Sequence, residues 1–336
     1  MTSFMTSTKF IVSLCLLALP LFAADEPARA VRKTEKPVNF IPAKADPLVG
    51  DWQGKGDYVA QVFATADGKY GANLLSAFDT ESNLVASLQG TLADGSVTFS
   101  GDGWTGQIRD SHFTVGKADK KMELQHITRT SPTMGAKPPA GAVVLFDGKN
   151  LDAWAKKNGK NWLMEDGPAK WKLTGDGAVE VVPDTDCIIT HQKLGDCHVH
   201  VEFRTLGVPS NSGVFLEDRY EVNINETYGR TSGTPNGGFD NCTDNIEPRR
   251  RPCFPPLAWQ TFDIDFRAAK FDAGGNKIAS ATATVLFNGV KIYDNQELEL
   301  PHGAASRLGE APTGPLMLQE HGMPLQFRNI WLVESK

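Results

Sequence analysis

Val199-His-Val-Glu-Phe-Arg204 alternates strictly between apolar and polar residues. Successive side chains of an extended strand point to opposite faces, so Val199, Val201 and Phe203 share one face and His200, Glu202 and Arg204 the other. The stretch reads as a β-strand with one side turned to a core. Tyr220-Glu-Val-Asn-Ile-Asn225 repeats the pattern and gathers Glu221, Asn223 and Asn225 on one side. Further on, Thr282–Phe287 runs into Asn288-Gly289 and then Val290-Lys-Ile-Tyr293. Asn-Gly between two β runs signals a tight hairpin, because both residues tolerate positive φ. Residues 143–336 carry no convincing amphipathic helix. So many short strands predict an all-β, two-sheet sandwich.

Outward from this half, residues 131–142 carry Pro132, Pro138 and Pro139 and read as a linker. Before it, residues 48–130 hold short apolar-alternating segments: Tyr58–Ala64, Tyr70–Ala77, Val85–Gly90, Ser96–Ser100, Gly106–Ile108 and Lys121–Ile127. Asp67-Gly68, Asp94-Gly95 and Gly101-Asp102-Gly103 punctuate them as turns. This spacing predicts a smaller antiparallel barrel or sandwich. Residues 24–47, rich in Lys, Pro, Ala and Glu, read as a flexible tether.

The first 23 residues have the layout of an export signal: Lys9, an apolar run from Phe10 to Phe22, then Ala23-Ala24 for cleavage. The run is short for a bilayer span, and no later stretch supplies one, so no membrane span is expected after signal removal. Cys15 lies inside the run after Leu14, which argues against lipidation. The expected location is periplasmic or secreted. The net charge of −6 disfavours nucleic acid as a partner, since phosphate binding calls for a basic face. Arg249-Arg250-Arg251 sits among prolines and reads as a solvated loop.

Cys187, Cys197, Cys242 and Cys253 remain after signal removal, an even number in an oxidising compartment. The simplest of three connectivities joins Cys187 to Cys197 and Cys242 to Cys253. The competing reading, a metal site using Cys197 with His198 or His200, fits no zinc spacing.

Val143-Val-Leu-Phe-Asp-Gly-Lys-Asn-Leu-Asp-Ala-Trp154 resembles the opening of the 3-keto-disaccharide hydrolase family. Val201-Glu-Phe-Arg204, Asn211-Ser-Gly-Val-Phe215, Tyr220–Ile224, Trp259-Gln-Thr-Phe-Asp-Ile264, Phe287-Asn-Gly-Val290, Gly314–Gly322 and Phe327-Arg-Asn-Ile330 follow in the family's order. The resemblance covers residues 143–334. It implies a jelly-roll sandwich like that of concanavalin A-type lectins and glucanases. Asn223 stands where the family usually has Gln, and Glu320 where it has Asp. The Gly229–Pro256 insertion resembles one subgroup only and can reshape the pocket.

The family's name implies a sugar already oxidised to a ketone at C3. The ketone acidifies the C2 proton; a base removes it, the enolate expels the C1 substituent, and water adds to the alkene. This needs a base, donors for the enolate oxygen and an acid for the leaving group, rather than the opposed carboxylates of an ordinary glycosidase. On this resemblance His321 transfers the proton, imidazole titrating near working pH. Arg204 stabilises the oxyanion, and Glu221 with Glu202 orients substrate or carries a second proton. Asn211, Asn223, Gln319 and Glu320 bind substrate, a glycoside or oligosaccharide. Trp154 and Trp259 lie in apolar surroundings that favour core packing over stacking on a sugar ring. No cofactor is firmly implied; a divalent metal ion stays open, although no dense acidic loop stands out. The alternative is a non-catalytic, lectin-like carbohydrate-binding module.

Overall fold

The structure, a computed structural model, describes residues 40–56, 58–79, 84–159, 163–230, 237–240, 252–299 and 309–335. Among them there is no helix. The export signal, most of the tether, the Arg249–Arg251 run and Cys242 lie outside the described residues.

Two antiparallel sheets form the C-terminal half. The larger has eight strands, ordered Lys172–Leu173, Val179–Glu180, Leu325–Glu334, Cys197–Thr205, Gln260–Arg267, Ala281–Phe287 and Val290–Leu298, with Val143–Phe146 also paired to Leu325–Glu334. The other has seven, ordered Glu165–Pro168, Trp154–Lys157, Ile188–Leu194, Gly314–Leu318, Asn211–Leu216, Tyr220–Asn225 and Phe239–Asp240. Alternation decides what lies between them. Val199, Val201 and Phe203 from one sheet join Val214, Val222, Leu316 and Leu318 from the other in one core. Burying each such side chain stabilises the fold by about 1.5–3 kcal/mol. Trp154 belongs to this core, its indole N–H donating to Leu145 O at 2.8 Å. The expected hairpin is present: Asn288 and Gly289 have φ of 51° and 78°. These two stacked sheets agree with the jelly-roll expectation.

Eight strands from Gly50–Gln53 to Lys120–Ile127 form a closed antiparallel barrel, the last pairing with the first. Trp52, Leu88, Phe99 and Phe113 fill it. Of the two expected architectures it takes the barrel. Two of its strands, Gly50–Gln53 and His112–Lys117, were not anticipated. The first is short and begins Gly-Asp; the second alternates Phe113 and Val115 with polar neighbours but sits beside the exposed Asp110-Ser111 turn.

The tether is a partial correction. Its described end, residues 40–47, is built into the fold. Ile41–Pro42 pairs with Gly207–Val208, and Ala43 N donates to Leu206 O at 2.8 Å. The Phe40 ring packs where a side chain at Gly207 would otherwise be, which a compositional reading cannot see.

The Cys187–Cys197 disulfide is also corrected: both residues are free thiols. The strand Ile188–Leu194 stands between them. At about 3.3 Å per residue it separates them by roughly 20 Å, whereas a disulfide needs Cα atoms within about 7 Å. The Cys242–Cys253 proposal involves a residue outside those described.

Candidate functional site

Each sheet turns one polar face away from the shared core, and the two faces point in opposite directions. This divides the residues that the sequence reading grouped together. Arg204 and Glu202 lie on the eight-stranded sheet; Glu221, Asn223 and Asn211 lie on the seven-stranded one. One polar face carrying Arg204, Glu221 and His321 therefore does not exist. Alternation assigns each residue a side of its own strand but not the sheet that strand joins.

On the eight-stranded sheet the polar residues are engaged structurally. The proline-rich segment after the barrel crosses this face. Ser131 Oγ lies 2.6 Å from Thr261 Oγ1, Thr133 Oγ1 donates to Asp263 at 2.6 Å, and Gly135 N donates to Glu202 Oε1 at 2.6 Å. Glu202, 0% exposed, also accepts from Arg328 Nε at 2.6 Å and Asn329 Nδ2 at 2.8 Å. His200 sits between Asp263 at 2.6 Å and Glu202 at 3.5 Å, with Trp331 stacked on its ring. Burial disfavours the imidazolium, but hydrogen bonds and charge from Asp263 and Glu202 outweigh it and push the His200 pKa up to about 9. Burial would likewise raise Glu202, yet hydrogen bonds from His200, Asn329, Arg328 and Gly135 bring it down to about 2. Arg204 bonds Gln326 at 2.7 Å and Asp176 at 3.0 Å. Its guanidinium lies 4.5 Å from the Trp259 ring, with Arg328 4.0 Å from the same ring. These groups bind one another and the crossing segment, on the side of the sandwich away from Glu221, and neither Arg204 nor Glu202 is retained as a site residue.

The outer face of the seven-stranded sheet is different. Strand register lines up Ala155, Ile189, Met317, Phe215 and Glu221 in one row across it. Ile189, Phe215 and Met317 form a small apolar cluster, with Cys187 against it, separate from the main core. The next row holds Gly213 and Asn223, and Gln319 N donates to Gly213 O at 3.0 Å. Asn211 pairs with Asn225 one step further, and Asn225 Nδ2 donates to Asn223 Oδ1. Glu221 and Asn223 are 4% and 3% exposed although they face away from the core. Gly213 makes room for the acid. A Cβ there would fall 2.6 Å from Glu221 Oε1 and 3.0 Å from the Phe215 ring, so a larger residue would have to displace the carboxylate from this position.

The segment after Gly314–Leu318 stays bonded to the neighbouring strand at Gly213 and Ser212. Gln319 Oε1 is buried and has no protein hydrogen-bond partner, while Ser212 Oγ holds the Gln319 carbonyl at 2.8 Å. Glu320 shapes the turn, accepting from Gly322 N at 2.5 Å, and its backbone meets the Cys187 thiol. It is a turn-former here rather than a substrate ligand. His321, two residues beyond Gln319, is exposed.

Two further charged residues border the face. Lys157 Nζ lies 2.5 Å from Asp218 Oδ1, both buried, and Leu163 N donates to Asp218 Oδ2 at 3.3 Å. Lys157 N donates to Cys187 O, which ties this pair to the apolar cluster. Burial raises the Asp218 pKa against the pull of Lys157. Sequence reasoning missed both. Lys156-Lys157 looks like a solvated strand end, and Glu217-Asp218 adopts φ of 54° at both positions without the Asn-Gly that announces such a turn. Beside it, burial pushes Glu217 up to about 8 against the pull of Arg219, 3.9 Å away; neither of its carboxylate oxygens has a hydrogen-bond partner. Among the described residues no group of three His, Cys, Asp or Glu is arranged to hold a metal ion.

Residues 141–333 match the 3-keto-alpha-glucoside-1,2-lyase-like domain. The chain belongs to this family. The lyase-like domain spans the whole sandwich and excludes the barrel. A "putative glycosyl hydrolase" from Parabacteroides distasonis ATCC 8503 is 29% identical, with a TM-score of 0.52, over 59% of this chain and 85% of its own. A second so described from that organism is 21% identical with a TM-score of 0.41, over 58% of this chain and 99% of its own. No curated protein matches. The lyase-like family and the first of these neighbours support a carbohydrate-active function.

Proposed function

We propose that the protein cleaves 3-keto-glycosides by base-assisted elimination across C1–C2 followed by hydration, and that it does so on the outer face of the seven-stranded sheet. The export signal read in residues 1–23 puts this activity in the periplasm or outside the cell. The observation that carries the reading is the Glu221 carboxylate, buried on a face outside the core, in space reserved by Gly213 and beside an apolar floor. A carboxylate in that setting can act on a proton that a neighbouring ketone has made acidic.

In this reading His321 and Glu221 share proton transfer. One takes the C2 proton, the electron pair moves into the enolate, the C1–O bond breaks, and the other group protonates the leaving oxygen. Water then adds to the alkene. Asn211, Asn223 and Gln319 hold hydroxyls, the unpartnered Gln319 Oε1 accepting one. Lys157 replaces Arg204 as the cation bordering the face. The lyase-like family supports the substrate class.

The test is incubation of the mature protein with a 3-keto-glucoside while following aglycone release and the unsaturated intermediate. Turnover that falls sharply in Glu221→Gln supports the reading. No turnover with retained sugar binding would replace it with the lectin-like alternative.

A further inference from the structure

Among the described residues the lumen of the barrel is filled by Trp52, Phe99 and Phe113. Its outer surface, however, meets the sandwich at one particular place. Tyr228 lies three residues beyond Asn225, the end of the strand that carries Glu221 and Asn223. Its hydroxyl donates to Asp51 Oδ1 on the barrel at 2.8 Å, and both side chains are buried. Next to it, Asn73 of the barrel donates to Gly229 O at 2.7 Å in a buried bond. Gly229 has φ of 71°, and a Cβ there would fall 2.1 Å from the Phe63 ring of the barrel. No other residue fits so close an approach.

Arg129, at the end of the barrel, completes the joint. Its Nε donates to the other oxygen of Asp51 at 2.6 Å, and its Nη1 meets both oxygens of Asp79 at 2.7 Å. The guanidinium is 4.2 Å from the Phe78 ring and 5.0 Å from that of Phe254. Phe254 is fixed in turn by its amide, which donates to Gln260 Oε1 at 2.8 Å. The buried Asp51 carboxylate thus holds Tyr228, and the half-buried Arg129 holds Asp51 and lies over Phe254. Phe239–Asp240 pairs with Val222 and Glu221 at the edge of the seven-stranded sheet. Asn223 N donates to Gly238 O, and Gly237 N to Asn223 O.

We infer that the barrel is the positioning element of the candidate site: Asp51 and Asn73 hold Tyr228 and Gly229, just beyond the end of the strand that carries Glu221 and Asn223, and Arg129 fixes Asp51. This rests on the site assignment in the proposed function, and it gives residues 48–130 a role in geometry rather than in chemistry. Asp51, Asn73, Arg129 and Tyr228 are positioning residues.

The test compares Tyr228→Phe and Asn73→Ala in the full chain by amide hydrogen exchange and by kinetics on a 3-keto-glucoside. Opening free energies are local, so the backbone amides of Asn223 and Gly237 should exchange about 10-fold faster or more while those of Ala72 and Leu88 in the barrel stay protected. Misplacing a catalytic constellation costs rate, so kcat should fall about 10-fold with KM changed by less than about 2-fold. Asp79→Asn, at a half-buried position, is a milder variant should either of the others fail to fold, and it should show the same effects in smaller measure. Unchanged exchange at Asn223 and Gly237 in the folded variants would overturn the inference. Faster exchange there in a protein that never turns over 3-keto-glucoside would support the positioning role and overturn the proposed reaction instead.

Discussion

The backbone amide of Gly135 donates to Glu202 at 2.6 Å, so a residue of the expected linker occupies the carboxylate that the sequence reading assigned to substrate. A linker that looks like a spacer is a strap, and the charged row beneath it is its anchor. Removing one partner of a buried ion pair leaves the other charge uncompensated and costs about 3–5 kcal/mol. Glu202→Ala should therefore lower the denaturant midpoint markedly.

The same anchor sets a pH window. His200 is raised to about 9, so its stabilising contribution is complete below the ordinary histidine pKa of about 6.5 and fades as pH climbs through 9. Glu202 is lowered to about 2, so its contribution is complete above about 4.5 and fades as pH falls through 2. Together they favour greatest stability between about pH 4.5 and 6.5. Thermal unfolding across pH should lose its alkaline decline in part when His200 is replaced by Gln, and an unaltered profile would refute this origin.

Glu217 acts on stability in the same direction as His200. Its folded pKa of about 8 lies above the unfolded value, so the folded state keeps a proton that the unfolded chain gives up. Stability is lost as pH rises from about 4.5 to 8. Glu217→Gln keeps the shape without the charge and should raise the melting temperature at pH 8 while changing it little at pH 4.5. Equal shifts at both pH values would count against a charged Glu217 as the cause.

At the candidate site the expected ranking is Glu221→Gln and His321→Ala far below Arg204→Ala. Losing a proton-transfer group should lower kcat by about 10²-fold or more. Arg204→Ala, which removes contacts with Gln326, Asp176 and Trp259 on the opposite side of the sandwich, should leave kcat within about 3-fold, far short of that loss. Steady-state kinetics on the three variants decides it, and an Arg204→Ala loss matching Glu221→Gln would return Arg204 to the site.

Cys187 and Cys197 are predicted to resist alkylation in the native protein at pH 8. Burial pushes Cys187 up to about 11 and Cys197 up to about 12, which suppresses the reactive thiolate. Peptide mass mapping after native and denaturing alkylation should show both labelled only when unfolded. A crosslinked 187–197 peptide would contradict the free thiols.

Local pattern carried the strands well. Val199–Arg204 and Tyr220–Asn225 turned Val201 and Val222 inward and Glu202 and Glu221 outward, as alternation requires. The Asn288-Gly289 turn was readable because its backbone demand has a known chemical answer. What alternation does not carry is partnership between strands. Cys197–Thr205 and Tyr220–Asn225 have the same pattern yet join different sheets, and this alone separated Arg204 from Glu221. Lys157 and Asp218 were hidden for a related reason: they are 61 positions apart, and only folding makes each the other's neighbour.

The closed barrel has a practical consequence. Its hairpin tips at Gly68 and Gly95 point into open space, with no atom near enough to obstruct an added side chain. Exposed tips of this kind tolerate insertions. An affinity handle or a fluorophore placed there would meet no neighbouring atom and would leave the lumen packed by Trp52, Phe99 and Phe113 undisturbed.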